Sequence, residues 1–201
     1  MATDNHVLVW DTETTDLPDW KTPSEAPEQP HLVQLAAVLL NTDTGKIAQS
    51  MDVIIRPDGW VSAPEAFELH GITTLHSIEV GIPEKLALEM FLAMWNGHQR
   101  IAFNTTFDNR IIRIGTKRYF DEQTIDRWHQ GKQGVEWSCM MLAARKIMGG
   151  KQPTLQEAYF YFTGKELVGA HTAMADTLAC LEVYKAINAQ GAVPIAAGAQ
   201  S

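Results

Sequence analysis

Asp11 and Glu13 stand two residues apart, just after the apolar run Leu8-Val9-Trp10. On a strand, residues i and i+2 share a face, with Cα atoms about 6.5–7 Å apart. Both carboxylates would then point one way, with Trp10 and Thr12 pointing the other. Two hard carboxylates at this spacing can hold Mg²⁺ or Mn²⁺, which sit about 3.5–4 Å apart in two-metal phosphoryl-transfer sites. The same pair could also be solvated acids at a strand end. A third acid, Asp108, lies in "AFNTTFDNRII". Thr105-x-x-Asp108 has capping-box form, so Asp108 can be a helix cap as well as a ligand. A fourth, Asp176, lies in "GAHTAMADTLACLEVY" among small and apolar neighbours, where an acid is costly unless paired or metal-bound. His171 precedes it by five residues, about 140° away on an ideal helix. His171 is therefore expected on the loop feeding the helix, able to swing over a site.

These residues need elements to position them. Residues 6–11 form a short buried strand. The segment 16–31 carries Pro18, Pro23, Pro27 and Pro30 and should be a loop without regular structure. Two apolar segments between 32 and 57 flank Asp43-Thr44-Gly45 and predict a β-hairpin ended by Pro57. A helix follows over 82–97, with Pro83 in its first turn, Gly97 at its stop and a buried stripe of Leu86, Met90 and Met94. "RIAFN" is a short strand entering a second helix over 105–120. A third helix is expected from Trp137 to Met148, halting at Gly149-Gly150. Thr154 and Glu157 make a capping box for a fourth, and the last helix runs from about Ala173 to Ala189. The order predicts one α/β domain with a mixed sheet over 1–189, followed by a mobile Ala/Gly-rich tail over 190–201.

The 201 residues are 45% hydrophobic, enough for one sizeable core, and carry a formal net charge of -8. That balance argues against non-specific coating of duplex nucleic acid, while leaving room for a local basic groove. Cys139 and Cys180 stand alone, outside any CxxC pair, which suits a reducing, cytoplasmic compartment. The N-terminus lacks a basic n-region and signal-like apolar run, and no window reaches about 18 uninterrupted apolar residues, so no membrane span is expected.

Three separated motifs resemble the DEDDh family of 3′→5′ exonucleases. "WDTETTDL" is similar to its first motif, D-x-E-T-T-G-L; "FNTTFD" to its second, H-N-x-x-F-D; and "HTAMAD" to its third, H-x-A-x-x-D. "LHGIT", residues 69–73, resembles another recurrent segment. The likeness spans roughly residues 6–187. It is strongest to the proofreading subunit of bacterial replicative polymerases and its stand-alone relatives.

The resemblance implies a ribonuclease H-like mixed β-sheet flanked by helices. It implies Asp11, Glu13, Asp108 and Asp176 as ligands of two divalent cations, Mg²⁺ or Mn²⁺, and His171 as general base. It also implies substrate contacts at Thr14, Leu17, His70, Asn104 and Phe107. The expected activity is hydrolysis of terminal phosphodiesters at single-stranded 3′ ends, more on DNA than RNA, releasing nucleoside 5′-monophosphates. An exoribonuclease on RNA ends is an alternative within the same chemistry. A non-catalytic nucleic-acid-binding or polymerase-docking module is one outside it. A polymerase or other replication protein is a candidate partner.

Two positions depart from the family pattern. Phe103 stands where a His is usual, and Asp16 where Gly suits a positive φ. Asp16 is expected to take that left-handed conformation itself. Residues 100–118 also hold Arg100, Arg110, Arg113, Lys117 and Arg118 against Asp108 alone. Arg110, Arg113 and Lys117 fall on one helix face, where they could hold phosphates or be solvated.

Overall fold

The computed structural model of the chain describes residues 5–130 and 137–189. The tail expected over 190–201 lies outside them. A five-stranded mixed sheet, ordered β3-β2-β1-β4-β5, runs through the middle of the domain. Its centre is β1 (His6–Thr14), antiparallel to β2 (Leu32–Asn41) and parallel to β4 (Gln99–Ala102). The hairpin pairs β2 with β3 (Ile47–Ile54). At the other edge β5 (Trp137–Cys139) lies parallel to β4.

Both faces of the sheet are covered at its central strands, so the first half of β1 is apolar without alternation. Leu8 and Trp10 face one layer: α3 (Glu84–Trp95), α4 (Thr105–Tyr119) and α5 (Glu122–Gln130). There Trp10, Phe91, Trp95 and Trp128 make edge-on or tilted ring contacts. Val7 and Val9 face the opposite layer: α6 (Met140–Met148), α7 (Leu155–Thr163) and α8 (Ala173–Ala189). This split decides which side of the sheet each acid of β1 can reach.

Several elements differ from expectation. β1 runs to Thr14, beyond residue 11, and its register with β2 shifts between Glu13 and Thr14. Residues 137–139 are strand, not the first turn of a helix, because their backbone continues the ladder beside Arg100, Ile101 and Ala102. Helix α3 is rotated from the expected stripe. Leu86 and Met90 are 43% and 41% exposed, while Ala87, Leu88, Phe91, Met94 and Trp95 are buried. Burying two aromatic rings against Trp10 and Trp128 outweighs burying two flexible aliphatic chains. Pro83 is the N-cap of α3 instead of a first-turn residue. The short helices α1 (Pro64–His70) and α2 (Thr74–Val80), like α5, have no counterpart among the expected elements.

The capping box at Thr154 and Glu157 forms in both directions. Both cysteines are free and buried. No described helix is long and apolar enough to cross a membrane.

Candidate active site

Asp11 and Glu13 lie on the face of β1 that also carries Val7 and Val9, hence on the side of α8. Asp176 sits in the first turn of α8. Carboxylate oxygens of Asp11, Glu13 and Asp176 come within 4.8 Å of one another, and all three residues are half-buried. The strand supplies two acids and the helix supplies one from more than 160 positions away in the chain. Gln34 helps fix their relation. It stands opposite Glu13 on β2 and its Oε1 accepts the Ala173 amide at the start of α8, 3.0 Å away. Its Nε2 donates to Asp52 Oδ1 at 2.7 Å. Sequence reasoning missed Gln34. The available signal was one polar residue inside the apolar stretch of β2.

Asp108 is placed differently from the other three acids. It belongs to α4, on the Trp10 side of the sheet, and it is buried. Thr12 points to that side, and its hydroxyl donates to Asp108 Oδ1 at 2.9 Å. Asp108 is therefore close enough to repel the cluster while its carboxylate is held by Thr12.

Burial is the main electrostatic fact. It raises Asp11 well above the usual carboxylate range, with repulsion from Asp108, Glu13 and Asp176 adding to it. Glu13 is pushed up to about 8 by burial, then by Asp176 and Asp108. Asp108 rises to about 7 through burial, although the Thr12 hydroxyl opposes the rise. Burial also raises Asp176, against the backbone amide and the charge of His171. Asp176 Oδ2 accepts the His171 amide at 3.2 Å, while the buried Oδ1 has no hydrogen-bond partner. Crowded carboxylates with an unpartnered oxygen fit a divalent cation: positive charge would reverse each of these shifts.

His171 lies on the loop before α8 and is exposed. Its φ is 67°, and outside glycine only it and Asn96 are left-handed among the described residues. The neighbouring turn is closed by Thr172, whose hydroxyl donates to the Gly169 carbonyl at 2.9 Å. A left-handed non-glycine residue costs energy that the surrounding contacts must hold.

Asp16 is a correction. It does not take positive φ. Its carboxylate instead accepts the Leu17 amide at 2.6 Å, and its carbonyl accepts the Thr14 hydroxyl at 2.8 Å. Local side-chain bonding shapes this turn without a left-handed residue. Leu17 projects from it, 74% exposed.

The remaining expected contacts have varied settings. His70 is buried at the end of α1, its Nδ1 accepts the Ile72 amide, and burial lowers its pKa. Asn104 is the exposed N-cap of α4, without a side-chain cap bond. Phe107 packs half-buried on the Trp10 layer. Phe103 is buried in the opposite layer, so this position feeds the core.

Two of the three cations on the basic face of α4, Arg110 and Lys117, are engaged within the protein, as is Arg118. Arg110 Nη2 donates to the Asp19 and Thr22 carbonyls at 3.1 and 2.6 Å. Lys117 pairs with Glu25 at 2.7 Å, and Arg118 Nη2 donates to the Gln29 carbonyl at 2.8 Å. These cations hold the proline-rich segment 15–31 as a strap across the helix. Gln29 is buried within the strap and its Nε2 donates to Asp19, Thr22 and Pro23 carbonyls.

The sequence matches the model of a family described as exonuclease, of RNase T type, over residues 8–184. No curated protein matches it. Among solved structures, E. coli exonuclease I in complex with a dT13 oligonucleotide is similar at TM-score 0.71 and 18% identity, over 92% of this chain and 41% of that one. A 3′-exonuclease that recognises the 3′ end of a histone mRNA stem-loop is similar at TM-score 0.68 and 12% identity, over 93% of this chain and 83% of that one. Cell-death related nuclease 4 is similar at TM-score 0.67 and 16% identity, over 94% and 65%. The chain spans about 41% of the length of exonuclease I. At these identities the likeness is one of fold, and that fold is ribonuclease H-like.

Proposed function

The chain belongs to the RNase T exonuclease family, and from that premise we propose that it is a metal-dependent 3′→5′ exonuclease acting on single-stranded ends, preferentially of DNA. The observation that carries this reading is the meeting of Asp11, Glu13 and Asp176 within 4.8 Å. Asp108 stands at its edge, held by Thr12. These four acids would hold two divalent cations, Mg²⁺ or Mn²⁺, whose charge would lower the pKa of water and stabilise the phosphate oxygens in the transition state.

His171 takes the proton of the attacking water. Its exposed position on the loop and its amide bond to Asp176 keep it beside the cluster. An imidazole is the side chain most often used to move a proton at neutral pH. Water attacks the terminal phosphorus, the bond to the 3′ oxygen breaks, and that oxygen is protonated as it leaves. The product is a nucleoside 5′-monophosphate. Thr14, the last residue of β1, and Leu17, on the turn that follows, are the contacts of the terminal nucleotide in this reading. The exposed Leu17 side chain is free to wedge against a base.

Proteins of similar fold include one in complex with a dT13 oligonucleotide and one that recognises the 3′ end of a histone mRNA stem-loop, so DNA and RNA are both to be tested. The test is digestion of 5′-labelled single-stranded DNA, duplex DNA and RNA of matched sequence, with Mg²⁺ or Mn²⁺ and with EDTA. A descending ladder on single-stranded DNA that EDTA abolishes is expected. No ladder with either metal at neutral pH would refute the enzyme, and a ladder on RNA alone would refute the DNA preference.

A further inference from the structure

The strap that follows the first motif presents a second large apolar side chain besides Leu17. Trp20 is 57% exposed. Its ring lies 5.8 Å from the Arg110 guanidinium, which also holds the carbonyls of Asp19 and Thr22 on either side of it. The Asp19 amide donates to Gln29 Oε1 at 3.2 Å, and the Lys21 amide to Asp19 Oδ1 at 2.8 Å. The backbone around Trp20 is thus held from three directions while the ring stays open. A rigid, exposed aromatic loses little freedom when it binds a flat partner. Lys21, next in the chain, is an exposed cation.

The protein carries a net charge of -8, and the cations Arg110, Lys117 and Arg118 are spent on the strap. A nucleic-acid strand held here would depend on stacking more than on phosphate contacts. The Cα atoms of Leu17 and Trp20 are at most about 11 Å apart. With bases about 3.4 Å apart along a stacked strand, that distance spans about one to three nucleotides.

Building on the exonuclease reading, we propose that Trp20 is a stacking platform for a base of the single strand, one to three nucleotides inward from the base at Leu17, with Lys21 on an adjoining phosphate. The strap is then a binding element that α4 fixes in place, and Gln29 and Arg110 are its positioning residues.

The test compares wild type with Trp20→Ala and Trp20→Phe on two substrates: 5′-fluorescein-dT12 and the p-nitrophenyl ester of thymidine 5′-monophosphate, which has no inward base. Binding of the labelled dT12 is read separately by anisotropy in EDTA. Trp20→Ala is expected to raise KM for dT12 and the anisotropy Kd by about five- to hundredfold. The ratio of kcat/KM between dT12 and the ester falls accordingly, and Trp20→Phe restores most of it. Wild-type behaviour of Trp20→Ala on dT12 overturns the proposal and leaves the ring for a protein partner. An equal loss on both substrates also overturns it, since that marks a disturbed strap. If wild type binds dT12 through Trp20 but cleaves neither substrate with Mg²⁺ or Mn²⁺, the stacking site stands and the exonuclease reading falls.

Discussion

Thr12 donates its hydroxyl to Asp108 across the interface between β1 and α4, at 2.9 Å and out of solvent. Thr12 sits between Asp11 and Glu13 in the chain but on the opposite face of the strand. One tripeptide therefore serves both sides of the sheet: two acids toward α8 and one donor toward α4. Thr12→Val keeps the shape and removes the donor. Asp108, at about 7, should rise further, because the hydroxyl holds it down. Mn²⁺ affinity, measured by calorimetry, is expected to fall about fivefold at pH 7, the effect of a rise of about one pKa unit on a half-protonated ligand, and to recover by pH 9. Unchanged affinity at pH 7 would show that the hydroxyl does not support Asp108.

The acid cluster predicts an unusual pH dependence of stability without metal. Glu13 at about 8 and Asp108 at about 7 are raised far above their unfolded values of about 4. The folded state then binds more protons than the unfolded state between about pH 4 and 8, so stability falls as pH rises through that window. In EDTA, Tm should drop from pH 5.5 to 8, and Asp11→Asn should flatten the drop. Added Mn²⁺ should raise Tm more at pH 8 than at pH 5.5. Thermal scans showing the opposite slope in EDTA would contradict the cluster's electrostatics.

The roles proposed for the third motif separate cleanly. Asp176→Asn should lower kcat about 10²–10³-fold while the protein stays folded, because it weakens the field at the reacting phosphate. His171→Ala should lower the single-turnover rate about 10²–10⁴-fold and leave Mn²⁺ binding within about twofold. An unaltered single-turnover rate in His171→Ala would exclude the base.

A buried ion network away from the acids should hold the strap's far end. Glu84 accepts from the Leu32 amide at 3.0 Å and the Tyr119 hydroxyl at 2.9 Å, meets His31 Nδ1 at 2.7 Å, and lies 3.5 Å from Arg118. Burial alone would raise its pKa, but His31, the Leu32 amide and Arg118 outweigh it and hold it low. Its contribution is present above about pH 4.5 and is lost as pH falls through its lower folded value. Glu84→Ala should cost about 3–5 kcal/mol, a Tm decrease on the order of 10 °C in calorimetry at pH 7, with a smaller difference at pH 3. A Tm within about 2 °C of wild type would remove this network from the stabilising contacts.

Local chemistry was enough for much of the architecture. Apolar runs ended by Gly, Pro and Asp-Thr-Gly marked the hairpin, β4, α4 and α8, and the Thr154 cap was legible because its partners are three residues apart. The alternation of β1 put Asp11 and Glu13 on one face, because a strand's period is two. What local pattern could not reach was anything set by a distant neighbour. The side of the sheet each acid faces, the bond of Thr12 to Asp108 and the role of Gln34 at α8 depend on which helix packs where. The cations of α4 could be read as phosphate-holding or as solvated, since charge on a helix says nothing about which segment lies across it. Only the folded chain brings the carbonyls of 19–30 onto Arg110 and Arg118. Asp16 and His171 show the same limit for the backbone. The turn at Asp16 closed through side-chain bonds, while the left-handed residue fell at His171, where the start of α8 and Asp176 constrain the loop. Sequence determined which residues could do chemistry; tertiary packing decided which of them meet, because burial and partner atoms come from elements far apart in the chain.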